Sequence, residues 1–279
     1  MKSDQTAKAE AFRTLHERQG AFVIPNPWDA GTARILAALG FEALATTSAG
    51  LAFSLGRRDS EAAISREETL ANARAIVSAT DLPVSADLED GFGPRPEDVA
   101  ETIRCAAEMG LVGGSIEDTT ADPARPLHDF DLAVERVAAA AEAAHALSFS
   151  FTLTARAENF QFSRPDLDDT IARLRAFEAA GADVLYAPGL PNIAAIRRVC
   201  ASVSRPVNVV IGLAEQNFTV AELAEAGVKR ISLGGTLYRA AFGGFLRAAR
   251  EIKEHGTFQF VDQAVLFTEV SSYMSSTTE

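Results

Sequence analysis

One unit recurs along this chain: a helical stretch that stops at a glycine, followed at once by a short apolar, β-branched run. Eight such runs are present, at residues 22–25, 43–47, 84–88, 115–117, 150–155, 184–187, 207–211 and 231–233. Strand-sized runs separated by helices are the pattern of βα units, which place parallel strands in one sheet with helices packed over it. The helix boundaries are legible too. Asp29 precedes the stretch 30–39, which ends at Gly40, and Ser65-Arg66-Glu67-Glu68 reads as a capping box for a helix through Ala79. Pro96 occupies a first helical position before 97–109 and Gly110. Asp166 and Thr219 open two later helices that stop at Gly181 and Gly227. Eight units without a composition shift favour an α/β fold closed as a parallel (β/α)8 barrel of the TIM type over an open doubly wound sheet. Such barrels typically take about 250 residues. The barrel is expected over residues 1–255, with 256–279 a C-terminal helical appendage carrying a helix at 261–274 and a Ser/Thr tail.

In a barrel the active site lies at the C-terminal ends of the strands, so the residues that close each run carry the functional reading. The third run ends in Asp87-Leu88-Glu89-Asp90, and the fourth in Ile116-Glu117-Asp118. Period-two geometry puts Asp87 and Glu89 on the same side of their strand, and adjacency of the strands brings Glu117 near. Gathering like charges in a buried position costs free energy unless a cation compensates. Oxygen ligands with no neighbouring Cys or His suit Mg²⁺, or Mn²⁺, better than zinc. Asp90 and Asp118 read instead as helix caps or as acids facing water. Arg156 ends the fifth run, where it can hold a substrate carboxylate, stabilise a developing enolate, or pair with Glu158. After the second run, the small residues Thr47-Ser48-Ala49-Gly50 could turn backbone amides toward an anion.

Charge and cysteine content narrow the partners. The formal net charge of −12 disfavours binding to nucleic acid or to an anionic membrane surface. Only two cysteines occur, Cys105 and Cys200, each in an Ala-rich helical stretch, which predicts two buried thiols in a reducing compartment rather than a disulfide. The first residues carry charges throughout and lack the apolar stretch of a signal peptide, and no apolar run approaches the roughly 20 residues of a membrane span. A cytoplasmic location is expected.

The motifs, in this order and spacing, resemble the isocitrate lyase/phosphoenolpyruvate mutase superfamily from Phe22 to about Arg250. Asn26-Pro27-Trp28-Asp29 follows the first run, and Thr47-Ser48-Ala49-Gly50-Leu51 precedes Leu55-Gly56-Arg57-Arg58-Asp59. Asp87-Leu88-Glu89-Asp90-Gly91-Phe92-Gly93 looks like the superfamily's D-x-D-x-G-[FY]-G metal motif, with Glu89 replacing the second Asp. Gly113-Gly114-Ser115-Ile116-Glu117-Asp118 is similar to its G-x-x-I-E-D stretch, and Ala155-Arg156-Ala157-Glu158 to its A-R-x-E. The resemblance implies a Mg²⁺-dependent barrel that acts on α-keto or 2-hydroxy carboxylates through an enolate. It implies that Asp87, Glu89 and Glu117 hold the ion directly or through water, with Asp59 in support. Ser48, Ala49 and Gly50 would bind the substrate carboxylate or keto oxygen, Arg156 would bind its opposite side, and Asn208 would be a further substrate contact. It also implies that the C-terminal helix packs on a neighbouring subunit, giving a homodimer or homotetramer.

Two departures separate the chain from well-known branches of that superfamily. Isocitrate and methylisocitrate lyases carry a Lys-Lys-Cys-Gly-His loop with an acid/base cysteine, whereas the corresponding segment 119–128 has no cysteine. The mutase branch places a His after the sixth strand, where this chain has Tyr186-Ala187-Pro188-Gly189. His128 reads as either a mobile acid/base or a solvated loop residue, and His16, His145 and His255 as surface residues. Trp28 reads as a pocket wall or as core, and Gly234-Gly235 as a point of close helix packing. Three readings follow: a carbon–carbon lyase or decarboxylase for oxaloacetate-like or methylisocitrate-like substrates, an enzyme of phosphonate P–C bonds, or an α-keto acid-binding protein without turnover. Decarboxylation tolerates the missing cysteine best, because it needs mainly an electron sink. How residues 53–64, 119–131 and 159–165 cover the site would set the substrate.

Overall fold

The computed structural model describes residues 2–59, 64–120, 122–162, 164–213 and 217–274. Eight parallel strands form one sheet: β1 (Phe22–Ile24), β2 (Leu44–Ala45), β3 (Val84–Asp87), β4 (Gly113–Glu117), β5 (Thr152–Arg156), β6 (Val184–Tyr186), β7 (Val207–Val210) and β8 (Arg230–Ser232). The order β1-β8-β7-β6-β5-β4-β3-β2 runs around a barrel, with β1 and β8 paired in parallel register. The remaining seam, between β1 and β2, is drawn shut by Ala45 N donating to Pro25 O at 3.0 Å. Asn26 reinforces it: its amide donates to Thr46 O at 2.9 Å, while its Oδ1 accepts from Leu233 N and Gly234 N at 2.8 and 2.9 Å. One side chain thus ties the ends of β8, β1 and β2 together. Each expected run is a strand, and the barrel is the expected one.

The helices follow their sequence signals. Asp29 caps α2 (Ala30–Ala38), Ser65 and Glu68 form a reciprocal box at the start of α4 (Arg66–Val77), and Pro96 opens α5 (Pro96–Glu108). Asp166 caps α7 (Leu167–Ala179), and Thr219 with Glu222 boxes α9 (Val220–Glu225). Among the helix-ending glycines, Gly110 (φ +89°) and Gly181 (φ +105°) need their residue type twice over. Both lie in the left-handed region, and a Cβ would sit 2.9 Å from Val77 Cγ1 or 3.0 Å from Ala141 Cβ. The core lies between strands and helices, where side chains such as Ile116, Leu153, Leu174 and Phe177 are fully buried. Each such side chain contributes about 1.5–3 kcal/mol by leaving water.

Two features depart from expectation. A helix not marked by the sequence pattern, α1 (Lys2–Glu17), lays Ala9, Phe12 and Leu15 against Phe22, Ile24, Ala43 and Val112, closing the barrel at the end where its strands begin. His16 on that helix was expected at the surface but is only 7% exposed, its ring edge-on between Phe12 and Phe22. At the other terminus, α10 (Thr236–His255) ends at Gly256, and the expected helix over 261–274 is broken into a 3-10 turn (Gln259–Gln263) and α11 (Phe267–Met274). Within this chain α11 returns to α2, where Arg34 Nη1 donates to Met274 O at 3.1 Å. The expected Ser/Thr tail at 275–279 lies outside the described residues, as do 60–63, 121 and 163 of the three expected covering loops. No described helix is long and apolar enough to cross a membrane.

Candidate active site

The C-terminal ends of β3, β4 and β5 converge on one guanidinium. Arg156 Nη1 lies 3.1 Å from Asp87 Oδ1 and 2.9 Å from Glu117 Oε1, and its Nε donates to Glu158 Oε1 at 2.7 Å. The strand register enforces this, since Glu117 pairs with Arg156 and Arg156 with Tyr186. The guanidinium carbon sits 4.8 Å from the centroid of the Tyr186 ring, a cation–π contact in a desolvated position. Of the sequence readings of Arg156, the pairing with Glu158 is present, and Asp87 and Glu117 join it.

Asp87 is fixed from the other side. Ser48 donates to its Oδ2 from both backbone N and Oγ, at 3.2 and 2.9 Å, and its own amide donates to Thr46 Oγ1 at 3.0 Å. Ser48 begins the short helix α3 (Ser48–Ser54), and Gly50 N is committed to the Thr47 side chain at 3.2 Å. Of the amides expected to face an anion, those of Ser48 and Gly50 are therefore occupied within the chain. Ala49 is half-buried, and a Cβ built on Gly235 would lie 3.1 Å from its methyl, so Gly235 serves close packing as expected.

Glu89 is set apart by its backbone. It adopts φ +48°, Phe92 follows at +59° and Gly91 at +83°, a tight left-handed turn that is unfavourable for non-glycine residues. Neighbours hold this turn in place. Glu117 N donates to Glu89 O at 2.8 Å, Thr102 Oγ1 to Gly91 O at 2.7 Å, and Phe92 N to Asp90 Oδ1 at 2.9 Å. Arg136 of α6 (Phe130–His145), only 1% exposed, reaches in from below with Nη1 on Gly93 O at 2.6 Å and Nη2 on Asp90 O. Sequence reasoning missed Arg136, because an arginine inside an Ala-rich helix reads as a surface charge.

The electrostatics show a site short of positive charge. Burial, then the nearby charges of Asp87, Asp59 and Asp90, push the Glu89 carboxyl up to about 8. Burial likewise raises Glu117 well above the usual carboxylate range despite Arg156, and brings Glu158 up to about 7. Arg156 is held firmly charged: burial opposes it, but Glu117, Glu158 and Asp87 outweigh that. Glu89 Oε1 is buried with no hydrogen-bond partner. A carboxylate surplus, an orphaned oxygen and an all-oxygen donor set together fit a hard divalent cation. Among the described residues no three acids, histidines or cysteines already form a metal cage. Arg156 Nη1 occupies the point where Asp87 and Glu117 converge.

Other expected residues fall outside this cluster. Asp118 neither caps a helix nor faces water. It is buried, accepting from Glu158 N at 2.9 Å and Arg173 Nη1 at 3.0 Å, and it anchors the loops after β4 and β5. His128 is 8% exposed rather than solvated, and burial lowers it to about 4. Its carbonyl accepts from Arg173, and no contact joins it to Asp87, Glu117 or Arg156 among the described residues. Trp28 packs edge-on against Tyr238 at 5.1 Å. Both cysteines are free and half-buried rather than buried. Asn208 lies deeper, inside the barrel, donating to Ser232 Oγ at 3.0 Å and accepting from Arg230 Nε at 2.9 Å.

Fold and site define an eight-stranded βα-barrel protein with a carboxylate-rich, arginine-centred cluster at the C-terminal ends of its strands. The chain belongs to the phosphoenolpyruvate mutase/isocitrate lyase superfamily: the family model described as phosphoenolpyruvate phosphomutase matches residues 12–253. The structure is similar to that of a lyase/mutase-type protein of Burkholderia cenocepacia J2315, at 56% identity and a TM-score of 0.96 over 99% of this chain and 98% of that one. It is also similar to 2,3-dimethylmalate lyase, at 26% identity and a TM-score of 0.86 over 96% and 95% of the two chains. In sequence, 2-methylisocitrate lyase of Shewanella oneidensis is 28% identical over 225 residues, covering 78% of this chain and 75% of that protein.

Proposed function

We propose that the chain is a Mg²⁺-dependent lyase or decarboxylase that cleaves a C–C bond of an α-keto or 2-hydroxy carboxylate, oxaloacetate-like or methylisocitrate-like, through an enolate. The observation that carries this reading is the convergence of Asp87, Glu117 and the fully charged Arg156 within 3.1 Å at the barrel mouth. Asp87, Glu89 and Glu117 would hold Mg²⁺, or Mn²⁺, directly or through water, with Asp59 in support; the ion supplies neutralisation of an anionic oxygen. Arg156 holds electron-rich oxygen of the substrate, because its planar fork matches a carboxylate or enolate and its charge does not titrate near neutrality. Ser48 aims Asp87, and the segment from Ser48 to Gly50 borders the substrate, with Asn208 below. Tyr186, whose phenol burial keeps protonated, gives the guanidinium an apolar backing that strengthens its field.

Release of pyruvate or another α-keto acid from a panel of 2-hydroxy diacids and oxaloacetate, with Mg²⁺ and with EDTA, tests this reading. Turnover of phosphonates alone would favour P–C chemistry, which the matched family model keeps in view. Calorimetric binding of an α-keto acid without turnover of any panel member would favour the binding-only reading, which the cysteine-free segment 119–128 keeps in view.

We also propose that the segment 256–274 lies against a second copy of the chain, in a homodimer or homotetramer. Phe258, Val261, Val265, Leu266 and Phe267 are all exposed there, Phe267 to 85%, and a run of large apolar side chains left in water along one segment favours burial against a partner. Sedimentation of the full chain as a monomer at micromolar concentration would reject this.

A further inference from the structure

Arg230 is a buried cation that the chemistry at the mouth leaves unused. It opens β8 and is 5% exposed. Its Nε donates to Asn208 Oδ1 at 2.9 Å and its Nη2 to Thr154 Oγ1 at 3.0 Å. Because β5 and β8 are not neighbours in the sheet, the contact to Thr154 can only cross the barrel interior. Both acceptors are neutral. Nη1 is buried with no hydrogen-bond partner, and among the described residues no carboxylate lies within ion-pair distance of this guanidinium. Arg156, by contrast, has three. Burial draws Arg230 down to about 10, so it remains charged at neutral pH.

A charge in a dry interior is costly unless something of opposite sign reaches it. The space to admit that partner exists. A cavity of about 50 Å³ runs down the barrel from Asp87 and Arg156, past Asn26 and Ser85, to Asn208 and Arg230. An ordered water needs roughly 10–15 Å³, so the cavity has room for a small polar group beside Arg230. That admits a terminal carboxylate at the floor, with the rest of a substrate standing toward Asp87 and Arg156. His16, across the barrel floor, also has an unpartnered Nε2 and feels the charge of Arg230. A neutral imidazole can share a water with the guanidinium but cannot neutralise it.

We propose that Arg230 binds a carboxylate of the substrate at the floor of this cavity, held in position by Asn208 and Ser232, so that the substrate is a compact dicarboxylate with its reacting end at Arg156. The proposal rests on the carboxylate reading of the site, and it locates the specificity at an arginine in the barrel interior rather than on the covering loops. The carboxylate supplies the missing counter-charge and fills the open Nη1 donor.

The test uses the full chain without Mg²⁺ and without turnover, with formate and oxalate as probes in thermal shift and calorimetry. Formate and oxalate are expected to bind the wild type and raise its Tm. Arg230→Gln should lower the affinity for formate at least tenfold, and Arg230→Lys less. Should the glutamine variant fail to fold, Asn208→Asp provides a second route. It places a carboxylate beside Arg230, so formate affinity should fall at least tenfold while the ligand-free Tm does not. Formate binding unchanged in either variant, or a wild type stabilised by neither formate nor oxalate, overturns the proposal and leaves water as the occupant. Because these measurements need neither metal nor reaction, a chain that turns over nothing on the substrate panel loses the lyase reading while the role of Arg230 is still decided.

Discussion

Ser48 contacts Asp87 twice, through its backbone amide at 3.2 Å and its hydroxyl at 2.9 Å, so the segment after β2 fixes the first acid of β3. A hydrogen bond to a charged group is worth about 1.5–3 kcal/mol. Ser48→Ala keeps the amide contact and loses the hydroxyl. It should cost about tenfold in kcat/KM, since each tenfold in rate is about 1.4 kcal/mol, and lower Tm by a few degrees, about 2–4 °C per kcal/mol lost. Steady-state kinetics on the best panel substrate, beside a thermal melt, measures both.

Arg156 is paired with three carboxylates, and its removal leaves them facing one another in a buried position. Arg156→Gln should lower kcat by about 10²–10³, as loss of one preorganised electrostatic donor does. It should also destabilise the ligand-free chain by about 3–5 kcal/mol, the usual result of breaking a buried pair from one side. Denaturant unfolding without metal separates the second effect from the first.

Metal removal gives the cleanest contrast for Glu117. Turnover should disappear in EDTA and return with excess Mg²⁺, and Glu117→Ala should stay inactive at any Mg²⁺ concentration that restores the wild type. Unchanged turnover in chelator, or in the alanine variant, would reject the metal-assisted mechanism.

Arg136 bears on the acidic turn without touching substrate. By donating to Asp90 O and Gly93 O it fixes the loop in which Glu89 and Phe92 hold positive φ. Arg136→Met fills the volume but strands those carbonyls, and leaving a buried acceptor unsatisfied costs about 1–3 kcal/mol each. The expected result is a lower Tm and weaker Mg²⁺ binding by calorimetry, with KM for substrate at saturating Mg²⁺ little changed.

His16 makes stability depend on pH. Burial first, then the charges of Arg230 and Lys229, lowers it to about 3, although its Nδ1 contact with Phe12 O at 2.8 Å opposes the shift. The unfolded chain takes up the proton near 6.5 and the folded chain does not, so this residue's effect is destabilising as pH falls from about 6.5 toward 3 and absent above. At roughly 1.4 kcal/mol per pH unit the full effect reaches a few kcal/mol. His16→Gln should flatten the acid side of the Tm–pH curve while lowering Tm at pH 8. Equal slopes for the two proteins between pH 6 and 4 would contradict it.

The sequence by itself determined the barrel, because each βα unit carries its own local instructions. Asp29, Ser65, Pro96, Asp166 and Thr219 start helices, Gly110 and Gly181 stop them, and apolar runs between them have nowhere to go but one parallel sheet. It also determined that Asp87, Glu117 and Arg156 meet, since strand ends in a parallel barrel share one rim. Only the tertiary structure decided what depends on contacts between distant segments. Arg136 and Arg230 look like ordinary arginines in a helix and a strand until packing strips water from them. His16 and His128 read as exposed for the same reason, since burial is not encoded in their local neighbours. That Arg156 is paired with three carboxylates while Arg230 is left without one follows from which side chains cross the barrel interior, and no local pattern in the sequence carries that information.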